Sequence, residues 1–290
     1  MEMLSIIQIL SIFLMSTIWP AKLSSAKQTS CIIERHNKSV EIDYNQQPII
    51  GIGLPKSGTT SLHAYFQTIH PAIHSGHQQV EAACPSKLFP IPPITTDLPN
   101  VTWSKVTHGD GAFTRHNKCA FAYYIQRAIA DGKKPLEYLI KKGFNAFAQL
   151  DEITYEHPRF PQIDLIDQFL DAYPEAFYIH HIRNVSKHVS SIVRWGEMSK
   201  RIKLSGVMNR EGRTIDPSHS IEQALADWIL WHREFVRDKF LQRPGVRYIE
   251  VDLEAAEEMA SSTISVFVGA RCIHRVEQMN HNAGLKYSQK

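Results

Sequence analysis

Apolar residues in this chain fall into short unbroken runs separated by longer amphipathic stretches. Ile49-Ile-Gly-Ile-Gly-Leu54 reads as a buried strand running into a Pro/Gly turn. Thr59 to Ile69 reads as a helix, stopped before Pro71. Cys119 to Lys142 predicts one or two helices, and Phe144 to Leu150 a second strand. Gln162 to Ala172 is a predicted helix ending near Pro174, followed by a third strand over Ala176 to Ile182. Val185 to Lys200 and Ile221 to Leu241 follow as helices, the second amphipathic and carrying Trp228 and Trp231. Val246 to Val251 alternates like a fourth strand, and Ala255 to Val268 is a closing helix. Strands alternating with helices predict the α/β class: one domain with a central parallel sheet flanked by helices. Residues 84–112, rich in Pro, Thr and Gly, predict a long functional loop.

The N-terminus breaks this pattern. Leu4 to Ala21 is an uncharged run of 18 residues without an amphipathic stripe. As a helix it would span roughly 27 Å, short of a ~30 Å hydrocarbon core. Ser24-Ser-Ala26 then offers the small residues of a cleavage site. The expectation is a signal peptide or short signal anchor over 1–26, a polar linker over 27–47 with a short strand at 31–33, and the folded domain over 48–290. This implies the secretory pathway, Golgi lumen or secretion, with membrane attachment if the segment is kept. Asn37-Lys-Ser and Asn100-Val-Thr are sequons that fit this route.

Composition narrows the function. Thirty-two basic and 29 acidic residues leave a formal charge of +3, with no dense basic block, so a nucleic-acid partner is not expected. Fifteen histidines are scattered without metal-ligand spacing, and no metal is expected. Cys31, Cys84, Cys119 and Cys272 form no CxxC pair; two disulfides or four buried thiols both fit.

The strongest chemical signal is Gly53-Leu-Pro-Lys-Ser-Gly-Thr-Thr-Ser-Leu62, between the first strand and the first helix. A helix N-terminus presents unpaired N–H groups and a positive dipole end, which hold an anion. Lys56 adds a mobile charge, Gly58 allows close approach, and Thr59 and Thr60 add hydroxyls. This is a phosphate cradle. Gly53 and Gly58 have nucleotide-loop spacing, but Thr59 stands where an ATP-binding loop needs lysine.

Pro55-Lys-Ser-Gly-Thr-Thr60 resembles the 5′-phosphosulfate loop of sulfotransferases that use 3′-phosphoadenosine 5′-phosphosulfate (PAPS), and the chain is similar to that family over roughly 48–269. The resemblance implies the P-loop-containing nucleotide-binding fold. It implies donor binding by Pro55, Lys56, Ser57, Gly58, Thr59, Thr60 and Ser61. Arg183, at the carboxyl end of the third strand, and Ser191 resemble the pair that grips the donor's 3′-phosphate. Arg suits that task because its planar fork is bidentate and always charged. Trp231, then Tyr248 to Leu253, resemble the family's late helix, strand and acidic-Leu turn. Asn282 to Tyr287 resembles a basic loop over the donor and suggests Lys286.

Lys56 is the catalytic candidate for neutralising the leaving phosphate. The stretch His70 to Glu81 resembles the base segment of Golgi and carbohydrate-type members. By that match Glu81 is the first candidate base and His77 the second, although valine precedes Glu81 where the family has lysine. Asp151-Glu-Ile-Thr-Tyr155 resembles the acceptor segment without its Lys and Pro, and makes Asp151 or Glu152 alternative bases. The expected acceptor is a glycan or small molecule with a hydroxyl or amine. Two rivals remain: a small-molecule kinase with a degenerate loop, and a non-catalytic nucleotide-binding partner protein.

Overall fold

Ile49–Gly51 forms the short central strand β1 of a five-stranded sheet. A computed structural model describes residues 42–80, 119–153, 159–195, 197–210, 212–254 and 257–270. The expected leader, residues 27–41 of the expected linker and the 84–112 loop, together with Glu81, Thr154, Tyr155 and Lys286, lie outside these residues. Tyr44, also within that linker, is buried in the core and donates its hydroxyl to the Val268 carbonyl at 2.8 Å.

The other strands of this sheet are β2 (Ser75–Gly76), β5 (Ala146–Phe147), β6 (Phe177–Ile182) and β7 (Arg247–Asp252). Their order is β2-β5-β1-β6-β7, and every pairing is parallel. Ile49 lies opposite Ala146 on one side and Phe177 on the other. A smaller antiparallel pair joins β3 (Gln79–Val80) to β4 (Cys119–Ala120). Cys119 is fully buried and disulfide-bonded.

Side chains alternate across the sheet with period two and feed two cores. Ile49, Ala146, Phe177, Ile179 and Val251 face α1 (Thr59–Ile69) and α9 (Glu257–Phe267), meeting Leu62, Phe66 and Ile264. The Tyr65 hydroxyl ties these helices together through the Ser261 carbonyl and Ser265 Oγ. Ile50, Phe147 and Tyr178 face the opposite layer. There α2 (Phe121–Ala130), α3 (Glu137–Lys141), α5 (Ile166–Ala172) and α8 (Ile221–Leu241) contribute Phe121, Leu139, Phe169 and Phe240 among others, whereas α4 (Pro161–Asp164) sends Ile163 to a third cluster. That cluster, under α6 (Val185–Arg194) and α7 (Met198–Leu204), is centred on Trp228, whose ring meets Phe160 edge-on at 5.8 Å.

The winding positions the site. From β1 the chain passes through α1 to the sheet edge at β2, and later returns to the other side of β1 as β6. The winding sense therefore reverses at β1, which opens a crevice at the carboxyl ends of β1 and β6.

Three expectations are corrected. The helix predicted to run unbroken to Lys200 stops at Arg194, and Trp195 leaves helical geometry (φ −89°, ψ 73°) before α7 begins. The break turns the indole toward Lys56. The second strand is only Ala146–Phe147, because its neighbours pair no further and the chain then bends into the crevice. The helix over 162–172 is interrupted at Leu165. Among the described residues, no helix is long and apolar enough to cross a membrane.

Trp228 is the largest fully buried side chain among the described residues. Trp228→Ala should lower stability by about 3–5 kcal/mol. Urea unfolding followed by circular dichroism checks this; a loss under about 1 kcal/mol would contradict the packing.

Candidate active site

The phosphate loop is shaped by where its carbonyls go. The Leu54 carbonyl accepts from both the backbone N–H (3.3 Å) and the hydroxyl of Ser57. The Pro55 carbonyl accepts from Nε2 of buried His188 at 2.7 Å, and the Lys56 carbonyl from Nη1 of Arg183 at 3.4 Å. In a trans peptide the carbonyl and the following N–H point in opposite directions. Tying the Pro55 carbonyl to His188 therefore aims the Lys56 N–H away from α6. Lys56 sits in the left-handed region (φ 68°), rare for a residue with a side chain. Gly58 follows at φ 110°, and a Cβ there would lie 2.8 Å from Leu253 Cδ1. Gly53 is required by contact alone: its Cβ would stand 2.4 Å from the His181 carbonyl oxygen. α1 begins with no side-chain cap and no acidic residue in its first turn, so its positive end stays open to an anion.

The charged groups converge on this loop. The Lys56 ammonium lies 3.5 Å from the centre of the Trp195 ring. Desolvation, then the nearby Arg183 charge, hold Lys56 down at about 8. Arg183 leaves β6 and donates to Glu254 at 2.7 Å, and Lys187 reaches the same carboxylate at 3.4 Å. The Arg233 guanidinium donates to the Arg183 carbonyl and braces this corner. Ser191 lies two turns into α6, on the line of Lys187 and Trp195, and is only 4% exposed.

A hydrogen-bond chain leads from the sheet to His77. Gln149 Nε2 donates to Asp151 Oδ1 at 2.8 Å, which leaves Oε1 to accept from the Thr59 hydroxyl, also at 2.8 Å. With its proton given to Gln149, Thr59 Oγ1 accepts from His77 Nε2 at 3.0 Å. Thr60 Oγ1 lies 3.4 Å from the same nitrogen. His77 thus carries its proton on Nε2, and its Nδ1 keeps a lone pair. Burial first, then the charges of His63 and Lys56, hold His77 down at about 4, so it is neutral at pH 7. Asp151 is fully buried and pushed up to about 7 by that burial, which amide donors from Gln149 and Gln162 offset in part.

The structure brings Lys56, Gly58, Thr59, Thr60, His77 and Arg183 to one crevice. The expected hydroxyl donor Thr59 turns inward to Gln149 and faces a ligand through its backbone only, and both the N–H and the hydroxyl of Ser57 bond the Leu54 carbonyl. Glu152 is held in a buried ion pair with Arg159 at 2.6 Å, and the backbones of the two residues pair as well. Asp151 acts at a distance, through Gln149. Gln149, His188 and Trp195 were not singled out, since each reaches the loop only through tertiary contact. Among the described residues, no group of three or more His, Cys, Asp or Glu could hold a metal ion.

An anion cradle thus stands at the switch point of a parallel sheet, with a lysine inside the loop and an arginine just past the end of the adjacent strand. A model of the sulfotransferase family matches residues 48–248, more than half the chain, and the chain belongs to that family. Comparison with curated proteins and with solved structures returned no match.

The hydrogen-bond chain makes a direct prediction. In protein with 15N-labelled histidine at neutral pH, His77 should show a protonated Nε2 and a bare Nδ1. Gln149→Leu should release that preference; a His77 protonated on Nδ1 in the parent protein would contradict the chain.

Proposed function

We propose that this protein transfers the sulfonate of PAPS to a hydroxyl or amine of a glycan or small-molecule acceptor. The observation that carries this reading is the adjacency of the two anion sites: Arg183 reaches the Lys56 carbonyl at 3.4 Å, so the loop and the β6 corner stand side by side. A nucleotide with both a 5′-phosphosulfate and a 3′-phosphate matches that spacing of charge. The loop N–H groups and Lys56 hold the 5′-phosphosulfate; Arg183, with Ser191 of α6, holds the 3′-phosphate. That phosphate takes over the guanidinium that Glu254 now occupies.

In the transfer the acceptor oxygen or nitrogen attacks sulfur, and the bond from sulfur to the 5′-phosphate oxygen breaks. The sulfonate leaves on the acceptor, and 3′-phosphoadenosine 5′-phosphate (PAP) remains with the negative charge. Lys56 and the loop N–H groups meet that charge as it grows. The acceptor proton passes to His77 Nδ1, the unprotonated lone pair that the Nε2 contact with Thr59 leaves bare. Glu81 lies outside the described residues. The Cys119 disulfide supports an oxidising, secretory compartment and hence a lumenal or secreted acceptor.

Calorimetry of the full chain with PAP, and with ATP plus Mg²⁺, tests the donor. PAP should bind with little ATP binding, and Arg183→Ala should weaken PAP by roughly 10–100-fold, the worth of charge-assisted bonds. The cationic form of Lys56 is lost as pH rises through about 8. Between about pH 7, above the second ionisation of the phosphates, and pH 8 PAP affinity should therefore change little, and above that it should fall by up to about tenfold per pH unit. A folded chain that ignores PAP, or prefers ATP, overturns the reading in favour of a kinase or a non-catalytic binding protein.

A further inference from the structure

His188 has no place in the transfer step, yet it sits at the centre of the donor corner. It lies on α6, between Arg183 at the helix entrance and Ser191 one turn later. Its side chain is 2% exposed, and Nε2 donates to the Pro55 carbonyl at 2.7 Å. A carbonyl only accepts, so the bond fixes the proton on Nε2 and leaves Nδ1 bare. Among the described residues that Nδ1 has no hydrogen-bond partner, nor has Nε2 of His232, and the His181 ring stands beside them. These rings line a cavity behind the loop, roughly one water molecule in size, beside Ser57 and Arg233. Burial holds His188 down at about 4, with the Pro55 bond opposing, so the ring stays neutral across the physiological range.

Two neighbouring loop carbonyls are thus held from one corner: Pro55 by His188 and Lys56 by Arg183. The His188 bond aims the Lys56 N–H into the crevice and keeps Lys56 in its left-handed geometry. The same side chain is rigidly attached to the helix that carries Ser191. A loop held this way is pre-set in distance and orientation against the 3′-phosphate site.

We propose that His188 is a positioning residue that couples the two phosphate sites, so that a nucleotide carrying both phosphates gains more than the separate contributions. This rests on the donor reading above. Without the bond, each site would still hold its own phosphate, but the loop would move independently of α6. The ligand would then have to bring the two sites into register as it binds.

The test is calorimetry on the full chain with adenosine 5′-monophosphate, adenosine 3′-monophosphate and PAP. The informative quantity is the gain in affinity when the 3′-phosphate is added to the 5′-monophosphate. In His188→Leu this gain should fall by about tenfold, the size of one buried hydrogen bond, while 3′-monophosphate affinity stays within about threefold. His188→Gln, whose amide reaches the Nε2 position, should restore the gain. His188→Asn, too short to reach Pro55, should behave as leucine does and replaces that variant if leucine prevents folding. An unchanged gain in folded His188→Leu or His188→Asn overturns the proposal. So does an equal loss for all three ligands, the mark of a merely structural role. A parent protein that does not bind PAP overturns the donor reading itself, and is distinguished by that control.

Discussion

The structure turns on the direction of three consecutive carbonyls. Leu54, Pro55 and Lys56 direct theirs toward the protein, to Ser57, His188 and Arg183. Buried carbonyls need partners, and these partners come from the loop itself, from α6 and from the end of β6. Much follows from that arrangement. Lys56 takes a left-handed backbone, Gly58 opens α1 without a cap, and the first turn presents its N–H groups to the crevice. Gly53 exists because the His181 backbone and ring crowd the strand beneath. An anion site made in this way needs little side-chain chemistry, and two of the loop's hydroxyls are in fact spent on internal bonds.

Interior electrostatics keep the site in a usable protonation state. His180, His181, His188 and His232 are all nearly fully buried behind the loop, and burial holds each below its ordinary range. Neutral imidazoles can shape the loop without opposing the positive charge that its ligand needs. Lys56 and Arg183 supply positive charge at the surface of the crevice, where the Trp195 ring and Glu254 contact them. On the other side of the loop, Asp151 reaches His77 only through Gln149 and Thr59. Each link has one donor and one acceptor orientation, so the chain decides which His77 nitrogen is bare.

The elements that form this frame were largely legible. Ile49 to Leu54, Ala176 to Ile182 and Val246 to Val251 carry strand signals strong enough to stand without tertiary help, and the turn at Pro55 to Gly58 announces an anion site. Arg183 was legible from its place at the carboxyl end of a predicted strand together with the resemblance to the family's Arg and Ser pair. The edge strand Ser75–Gly76 was not, since two residues carry no periodicity and Gly76 is dictated by the Phe121 ring, 2.1 Å from where its Cβ would be. The end of α6 at Arg194 was missed for a similar reason: Trp195 leaves the helix to cover Lys56, a residue far away in sequence. Gln149 and His188 look like ordinary polar residues until the sheet brings them to Thr59 and Pro55. Sequence pattern shows which segments meet the crevice; the partners that orient the loop belong to packing.

The most direct test of this account is to map the backbone amides of the 15N-labelled full chain as PAP is added. The outward-facing loop predicts that the amides of Lys56, Gly58, Thr59 and Thr60 shift together with the Arg183 side-chain N–H, and saturate on one binding curve. PAP binding that leaves these amides unmoved, or moves only residues remote from β1 and β6, would contradict the claim that this loop is the donor's phosphate site.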